Sequence, residues 1–198
     1  TITGHTLKEN TKAQNYDISY AAGKLTVTKA ELAITVKADS DEKVYDGSAL
    51  TKPTATLTAG SLATGDRLVN TVTGTITDAG TKVNTLTEVT VMHGEGDAAV
   101  DVTENYQITK ENGELKVTPV EIVLTADSAE KVYDGTALTK DTYKITKGAF
   151  VGEEGLESVT VSGSQTTVGS SANTITGHTL KENTKAQNYD ISYAAGKL

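Results

Sequence analysis

The sequence predicts an all-β chain made of tandem small antiparallel modules. Three observations carry this. Threonine is the commonest residue. Apolar and polar residues alternate at period two in run after run, with no convincing helical stripe. The sequence also repeats itself, at two periods. Thr, Val, Ile and Tyr suit a pleated, half-buried surface. Alternation marks a strand with one buried face. The shorter repeat allots each module about 80–90 residues, room for roughly six to eight short strands, which is the size and rhythm of an Ig-like β-sandwich. A β-grasp-like sheet is the alternative, weakened by the missing helix.

The repeats come first, because they set the boundaries. Residues 1–25, TITGHTLKENTKAQNYDISYAAGKL, return letter for letter at 174–198. Identity over that length points to recent duplication, or to an array kept uniform. Inside the long period lies a shorter, diverged one: EKVYDGSALTK starts at Glu42 and EKVYDGTALTK at Glu130. Gly74, Gly80 and Asn84 answer to Gly163, Gly169 and Asn173. Asn105-Tyr106 answers to Asn188-Tyr189 and to Asn15-Tyr16, and Gly113-Glu-Leu-Lys-Val-Thr to Gly23-Lys-Leu-Thr-Val-Thr. Residues 1–28 are therefore expected to be the C-terminal strands of a preceding module. Residues 29–118 form the first complete repeat module, and 119–198 a second lacking its last few residues. Thr1 reads as an internal cut. The tail is expected to complete a module in a neighbouring chain, by strand exchange or β-augmentation, or to be a window on a continuous fibre. The seams TVTKAEL and VTPVEI are very short. Modules joined so tightly have little freedom to swing, which suits a semi-rigid rod.

Within the first module, Leu32, Ile34, Val36 and Ala38 alternate with polar residues, and Ile122, Leu124 and Ala126 repeat the pattern in the second. Leu68, Val72 and Ile76 alternate similarly, as do Val89 and Val91, and Val159 and Val161. Tyr106 and Ile108 precede Asn112-Gly113, and Leu115 and Val117 follow it. Asn-Gly accepts φ > 0 at both positions, so a tight hairpin is expected there. Tyr189, Ile191 and Tyr193 precede an equivalent turn at Ala195-Gly196. Hydrophobic residues make up 36% of the chain and aromatics 5%, with no Trp and one Phe. Two small cores of Val, Ile, Leu and Tyr fit that inventory better than one large core.

The formal net charge is -8 and the charges are interspersed. Phosphate backbones and anionic lipid surfaces repel such a chain, so nucleic acid and membrane insertion are not expected. The absence of Cys removes disulfides, thiolate metal sites and thiol nucleophiles. No apolar stretch approaches the roughly 20 residues of a membrane span, and no signal peptide is read. No Ser/His/Asp signature or phosphate loop stands out, and paired carboxylates lack a recognisable context. No catalytic residue, resident metal or cofactor is expected, and the chain does not read as an enzyme.

Three candidate sites remain. Tyr45-Asp46-Gly47 and Tyr133-Asp134-Gly135 recur, and Asp-Gly is a strong turn pair, so these read as turns that set strand register. A sharper alternative is an intramolecular Lys–Asn isopeptide bond, Lys43 with Asn105 and Lys131 with Asn188, with Asp46 and Asp134 as carboxyl shuttles. The loop His93-Gly-Glu95-Gly-Asp97, with Asp101 and Glu104, gathers carboxylates near glycines and is the candidate for Ca²⁺. Its spacing matches no EF-hand, so a solvated loop is the favoured reading. Asn15, Asn105 and Asn188 are expected to bond local backbone at a strand entrance. His5 and His178 are one repeat position seen twice, with no ligand partner at metal-site spacing.

As a set in fixed order, the strand–KVYDG opening, Gly65-Asp66, Gly74…Asp78-Ala-Gly80…Asn84 and the closing NY…G-x-L-x-V-T resemble YDG/YGX-type (MBG-like) tandem repeat modules of large bacterial surface proteins. The resemblance covers both modules and the tail. The second module departs from it at Gly65-Asp66, offering Gly152-Glu153-Glu154. It implies export and anchoring to a bacterial cell wall or envelope, or secretion, with a role as stalk, fibre or adhesin repeat. The implied partners are neighbouring copies of itself or adjacent repeats. The rival is an adhesive module for host glycan or matrix protein, for which the His93–Glu104 loop is the first place to look.

Overall fold

The computed structural model describes residues 1–28 and 32–198; the seam at 29–31 lies outside the described residues. The first module carries β1 (Leu32–Ala38), β2 (Asp41–Val44), β3 (Ala55–Ala59), β4 (Asp66–Thr73), β5 (Gly80–His93), β6 (Val100–Asp101), β7 (Tyr106–Glu111) and β8 (Gly113–Thr118). The second carries β9 (Val120–Ala126), β10 (Tyr143–Lys147), β11 (Leu156–Ser162), β12 (Ala172–Leu180), β13 (Tyr189–Ala194) and β14 (Gly196–Lys197). Four single 3-10 turns are the only helical pieces among the described residues, so the chain is all-β. Among those residues no helix is long and apolar enough to cross a membrane.

Alternation does what the sequence predicts in β1: Ile34, Val36 and Ala38 are buried on one face. β1 pairs antiparallel with β3 and parallel with β7, with Ile34 opposite Ile108. The second sheet runs β2-β8-β5-β4, and β6 adds to the far end of β5. β5 is long enough to serve two partners, β8 along Gly80–Asn84 and β4 along Thr85–His93. The second module repeats the plan: β9 lies between β10 and β13, and β12 between β11 and β14.

The purely antiparallel expectation needs correction. β1·β7, β2·β8 and β9·β13 are parallel ladders. Each joins strands far apart in sequence, and the chain between them is long enough for the crossover that parallel pairing demands.

The Asn112-Gly113 hairpin is a second correction. β7 and β8 flank this dipeptide but do not pair; β7 belongs to the sheet of β1, and β8 to that of β5 and β2. The chain crosses between sheets there. Asn112 Oδ1 accepts the Leu86 N–H at 3.0 Å. A β-carbon on Gly113 would overlap the carbonyls of Ala38 and Asp39, so this glycine serves close backbone approach. Ala195-Gly196 makes the same crossing, with Gly196 against the carbonyls of Ala126 and Asp127.

The tail takes a different conformation from its repeat. Residues 1–28 form no strand; they carry one 3-10 turn at Ala13–Asn15 and are almost wholly exposed. The same 25 letters at 174–198 build β12, β13 and β14. Strands are not stable without ladder partners, and the tail has none among the described residues.

Two apolar cores form, but they do not follow the module boundary. Ile34, Val36, Ala38, Leu86, Val91 and Tyr106 make one. The other joins Tyr45, Leu50, Leu115 and Val117 of the first module to Ile122, Leu124, Ala126, Ile175 and Tyr189 of the second. The lower half of the first module thus shares a core with its neighbour.

Candidate functional site

The joint between the modules is where recurrent residues, burial and polar contacts coincide. It starts from the KVYDG turn. Asp46 Oδ1 accepts the Ser48 N–H at 2.9 Å, and Gly47 takes φ +80°, in the left-handed region that favours glycine. Lys43 Nζ closes the turn on Asp46 at 2.6 Å and on the Ser48 carbonyl at 2.7 Å. These donors, Lys43 first and then Ser48, lower the Asp46 carboxyl to about 2. Lys131, Asp134 and Thr136 repeat the arrangement.

The turn aims Tyr45 across the seam. Its ring meets Tyr189 edge-on, with centroids 5.8 Å apart, and Phe150 packs against Tyr189 at a tilt, with centroids 4.7 Å apart. Such pairs add about 0.5–1.5 kcal/mol beyond area burial. The Tyr45 hydroxyl donates to Glu154 Oε1 at 2.7 Å, and Tyr189 donates to Glu154 Oε2. Burial, then the Glu154 carboxylate, push both tyrosine hydroxyls above their ordinary value of 10.0. Both therefore stay protonated donors at neutral pH.

A polar clasp lies beside this stack. Asn188 Oδ1 accepts the Ala79 N–H at 2.7 Å, and its Nδ2 donates to Asp78 Oδ1 at 3.0 Å. Lys185 Nζ reaches Asp78 Oδ2 at 2.6 Å. Asn188 is fully buried and binds the neighbouring module, which corrects the expectation that it bonds local backbone. Its counterpart Asn105 is exposed. The Lys185 ammonium, then Asn188, hold the Asp78 carboxyl below its ordinary 3.8. A depressed carboxyl stabilises the fold above its unfolded value and loses that contribution as pH falls through the folded one. The clasp is therefore complete above about pH 4 and is expected to loosen below it, with Asp78→Asn removing the pH dependence. Lys185→Ala is expected to cost only about 0.5 kcal/mol, since its side chain is 62% exposed. Amide chemical shifts of Ala79 and Asn188 through an acid titration check this; shifts that stay constant to about pH 2 would reject it.

The departure at Gly152-Glu153-Glu154 turns out to conserve chemistry. In the first module Tyr106 donates to Asp66 Oδ2 at 2.5 Å, and its hydroxyl accepts the Ala63 N–H at 2.9 Å. In the second, Glu154 replaces Asp66, and Tyr189 accepts the Val151 N–H at 3.0 Å. Asp66's other oxygen, Oδ1, lies 2.6 Å from His93 Nδ1.

The isopeptide candidates are not brought together. Lys43 stands in β2 and bonds its own turn, whereas Asn105 precedes β7 in the other sheet. Lys131 bonds Asp134 and Thr136, and Asn188 bonds Asp78. Nor do the loop carboxylates converge: among the described residues no group of three or more His, Cys, Asp or Glu could hold a metal. Asp101 instead accepts the Thr103 N–H at 2.9 Å, while Glu95, Asp97 and Glu104 stay exposed on the surface. His178 pairs with Tyr193 at 2.5 Å, and His5 with Tyr20 in the tail.

In the sequence Asn84 and Asn173 stand out only as repeat landmarks. Both are fully buried. Asn84 donates to the carbonyls of Asp39 and Lys52, each at 2.8 Å, and Asn173 to those of Asp127 and Lys140, each at 2.8 Å. They tie the sheets of each module together. Gly74 and Gly163 lie against them so closely that a β-carbon would overlap the amide oxygen. Persistence of a polar residue in both diverged copies was the available signal.

Compared with family models, with curated proteins and with solved structures, the chain matches none of them.

Proposed function

We propose that the chain is a structural stalk or fibre segment of a bacterial cell-surface or secreted adhesin-like protein, whose work is to hold distance and direction. The observation that carries this reading is the core continuous across the seam, from Tyr45, Leu115 and Val117 into Ile122, Leu124 and Tyr189. Repeats that share an apolar interface with the next repeat behave as a one-dimensional array with little freedom at each joint. The hydroxyls of Tyr45 and Tyr189 on one carboxylate add direction, because hydrogen bonds weaken steeply when bent. The extracellular, envelope-anchored setting rests on the resemblance of the ordered KVYDG…Asn84…NY set to bacterial surface repeats.

Small-angle scattering from the intact chain tests the reading. Two modules held in one orientation are expected, and Tyr45→Ala is expected to broaden the inter-module distances. Scattering from the unaltered chain that fits only freely hinged modules would overturn it.

A further inference from the structure

Tyr45 and Tyr189 belong to different modules, yet both hydroxyls end on one carboxylate. Glu154 Oε1 accepts Tyr45 at 2.7 Å, and Oε2 accepts Tyr189. The two oxygens share a single carbon, so the hydroxyl ends of the two rings converge there. The rings themselves meet edge to face, with 5.8 Å between centroids and 83° between planes. Among the described residues the other aromatic contacts pair a tyrosine with histidine or phenylalanine. The closing tyrosine of the first module lacks this arrangement, since Tyr106 shares its carboxylate, Asp66, with His93.

This geometry has a chemical consequence. A phenol gives up an electron more readily when its proton has a positioned base to go to. The radical so formed carries its unpaired electron on the oxygen and on the ring carbons that flank the hydroxyl-bearing carbon. Hydroxyls that converge bring those flanking carbons together, and holding reactants in place turns an encounter between two rings into a step within one chain. Both rings are buried in the shared core, which keeps them facing each other. Direct contact with an oxidant is not required, because electrons cross short distances through protein.

We propose that Tyr45, Glu154 and Tyr189 form a modification site, at which oxidation joins the two tyrosine rings by a carbon–carbon bond between the modules. The oxidant is hydrogen peroxide used by a peroxidase; it takes up two electrons and two protons and leaves as two waters. Each tyrosine loses one electron to it. Each hydroxyl proton passes to Glu154 in turn, and from this half-buried carboxylate to water. The two radicals couple at ring carbons beside the hydroxyls. The hydrogen on each coupled carbon then moves to its ring's oxygen, which restores both phenols. The chain loses two hydrogen atoms and gains one bond. That bond keeps the seam joined when the shared core opens. The proposal deepens the stalk reading, because a covalent tie serves a joint under load; scattering from the unoxidised chain tests that reading separately.

Brief oxidation of the intact chain at low concentration, by a ruthenium photo-oxidant with persulfate, tests the proposal. The expected result is a monomer-sized product lighter by two hydrogen atoms, in which proteolysis leaves the Tyr45 and Tyr189 peptides joined. Coupling between chains through exposed tyrosines such as Tyr16 and Tyr20 is recognised by its dimer mass. Tyr45→Phe keeps the ring in the core and is expected to abolish the monomer-sized product. Glu154→Gln keeps an oxygen that accepts hydrogen bonds but is no base, and is expected to slow coupling at least about tenfold. Absence of the joined peptide from the unaltered chain, the same mass loss in Tyr45→Phe, or equal coupling in Glu154→Gln would each overturn the proposal.

Discussion

Tyr45→Ala is expected to remove about 3 kcal/mol of stability, in the range measured for truncating a buried aromatic. It is also expected to split one cooperative unfolding transition into two. The ring lies in the core that both modules share, against Tyr189 and within reach of Glu154. Truncation leaves a cavity at the seam and uncouples the residues on either side of it. Tyr45→Phe keeps the ring and deletes only the hydroxyl bond. Glu154 retains Tyr189 as a donor, so this variant is expected to lose about 1 kcal/mol and to keep a single transition. Urea unfolding followed by calorimetry separates the cases. Equal losses under about 1 kcal/mol for both variants would mean that the ring couples nothing.

Some of this architecture was legible in the sequence and some was not, for physical reasons. The strand at Leu32–Ala38 was legible because alternation reports which face is buried, and Ile34, Val36 and Ala38 are buried on one side. Partner choice was not, because period two is the same for parallel and antiparallel neighbours. Tyr106–Glu111 and Gly113–Thr118 read as hairpin arms because they are adjacent along the chain, yet they lie in different sheets. The turn residues Asp46 and Gly47 were legible as a turn. That Tyr45 would leave its own module was not, since the sequence marks a large side chain but not where it is buried. Glu154 was hidden differently: the motif around Asp66 changes its letters while the carboxylate on the closing tyrosine survives. Chemistry can be conserved where spelling is not, and only the fold aligns the two.

Gly113→Ala separates the crossing from the hairpin that the dipeptide suggests. In a tight Asn-Gly turn, alanine would meet only the left-handed conformational penalty, about 1 kcal/mol. In the observed structure Gly113 has no left-handed φ, and its cost is steric. The new β-carbon would overlap the carbonyls of Ala38 and Asp39, which are main-chain atoms fixed at the end of β1 and cannot rotate away. The expected loss is about 3 kcal/mol, the upper end for overpacking. Gly177→Ala is the control. It lies in β12 with nothing within 4 Å of the added carbon and no left-handed φ, so a gain of about 0.5 kcal/mol is expected from strand propensity. Equal, small effects at the two sites would reject the crossing. The site matters for the joint because Gly113 begins β8, and β8 carries Leu115 and Val117 into the shared core. A chain displaced at Gly113 moves both side chains, so Gly113→Ala is expected to loosen the seam as Tyr45→Ala does, because a close-packed interior transmits strain.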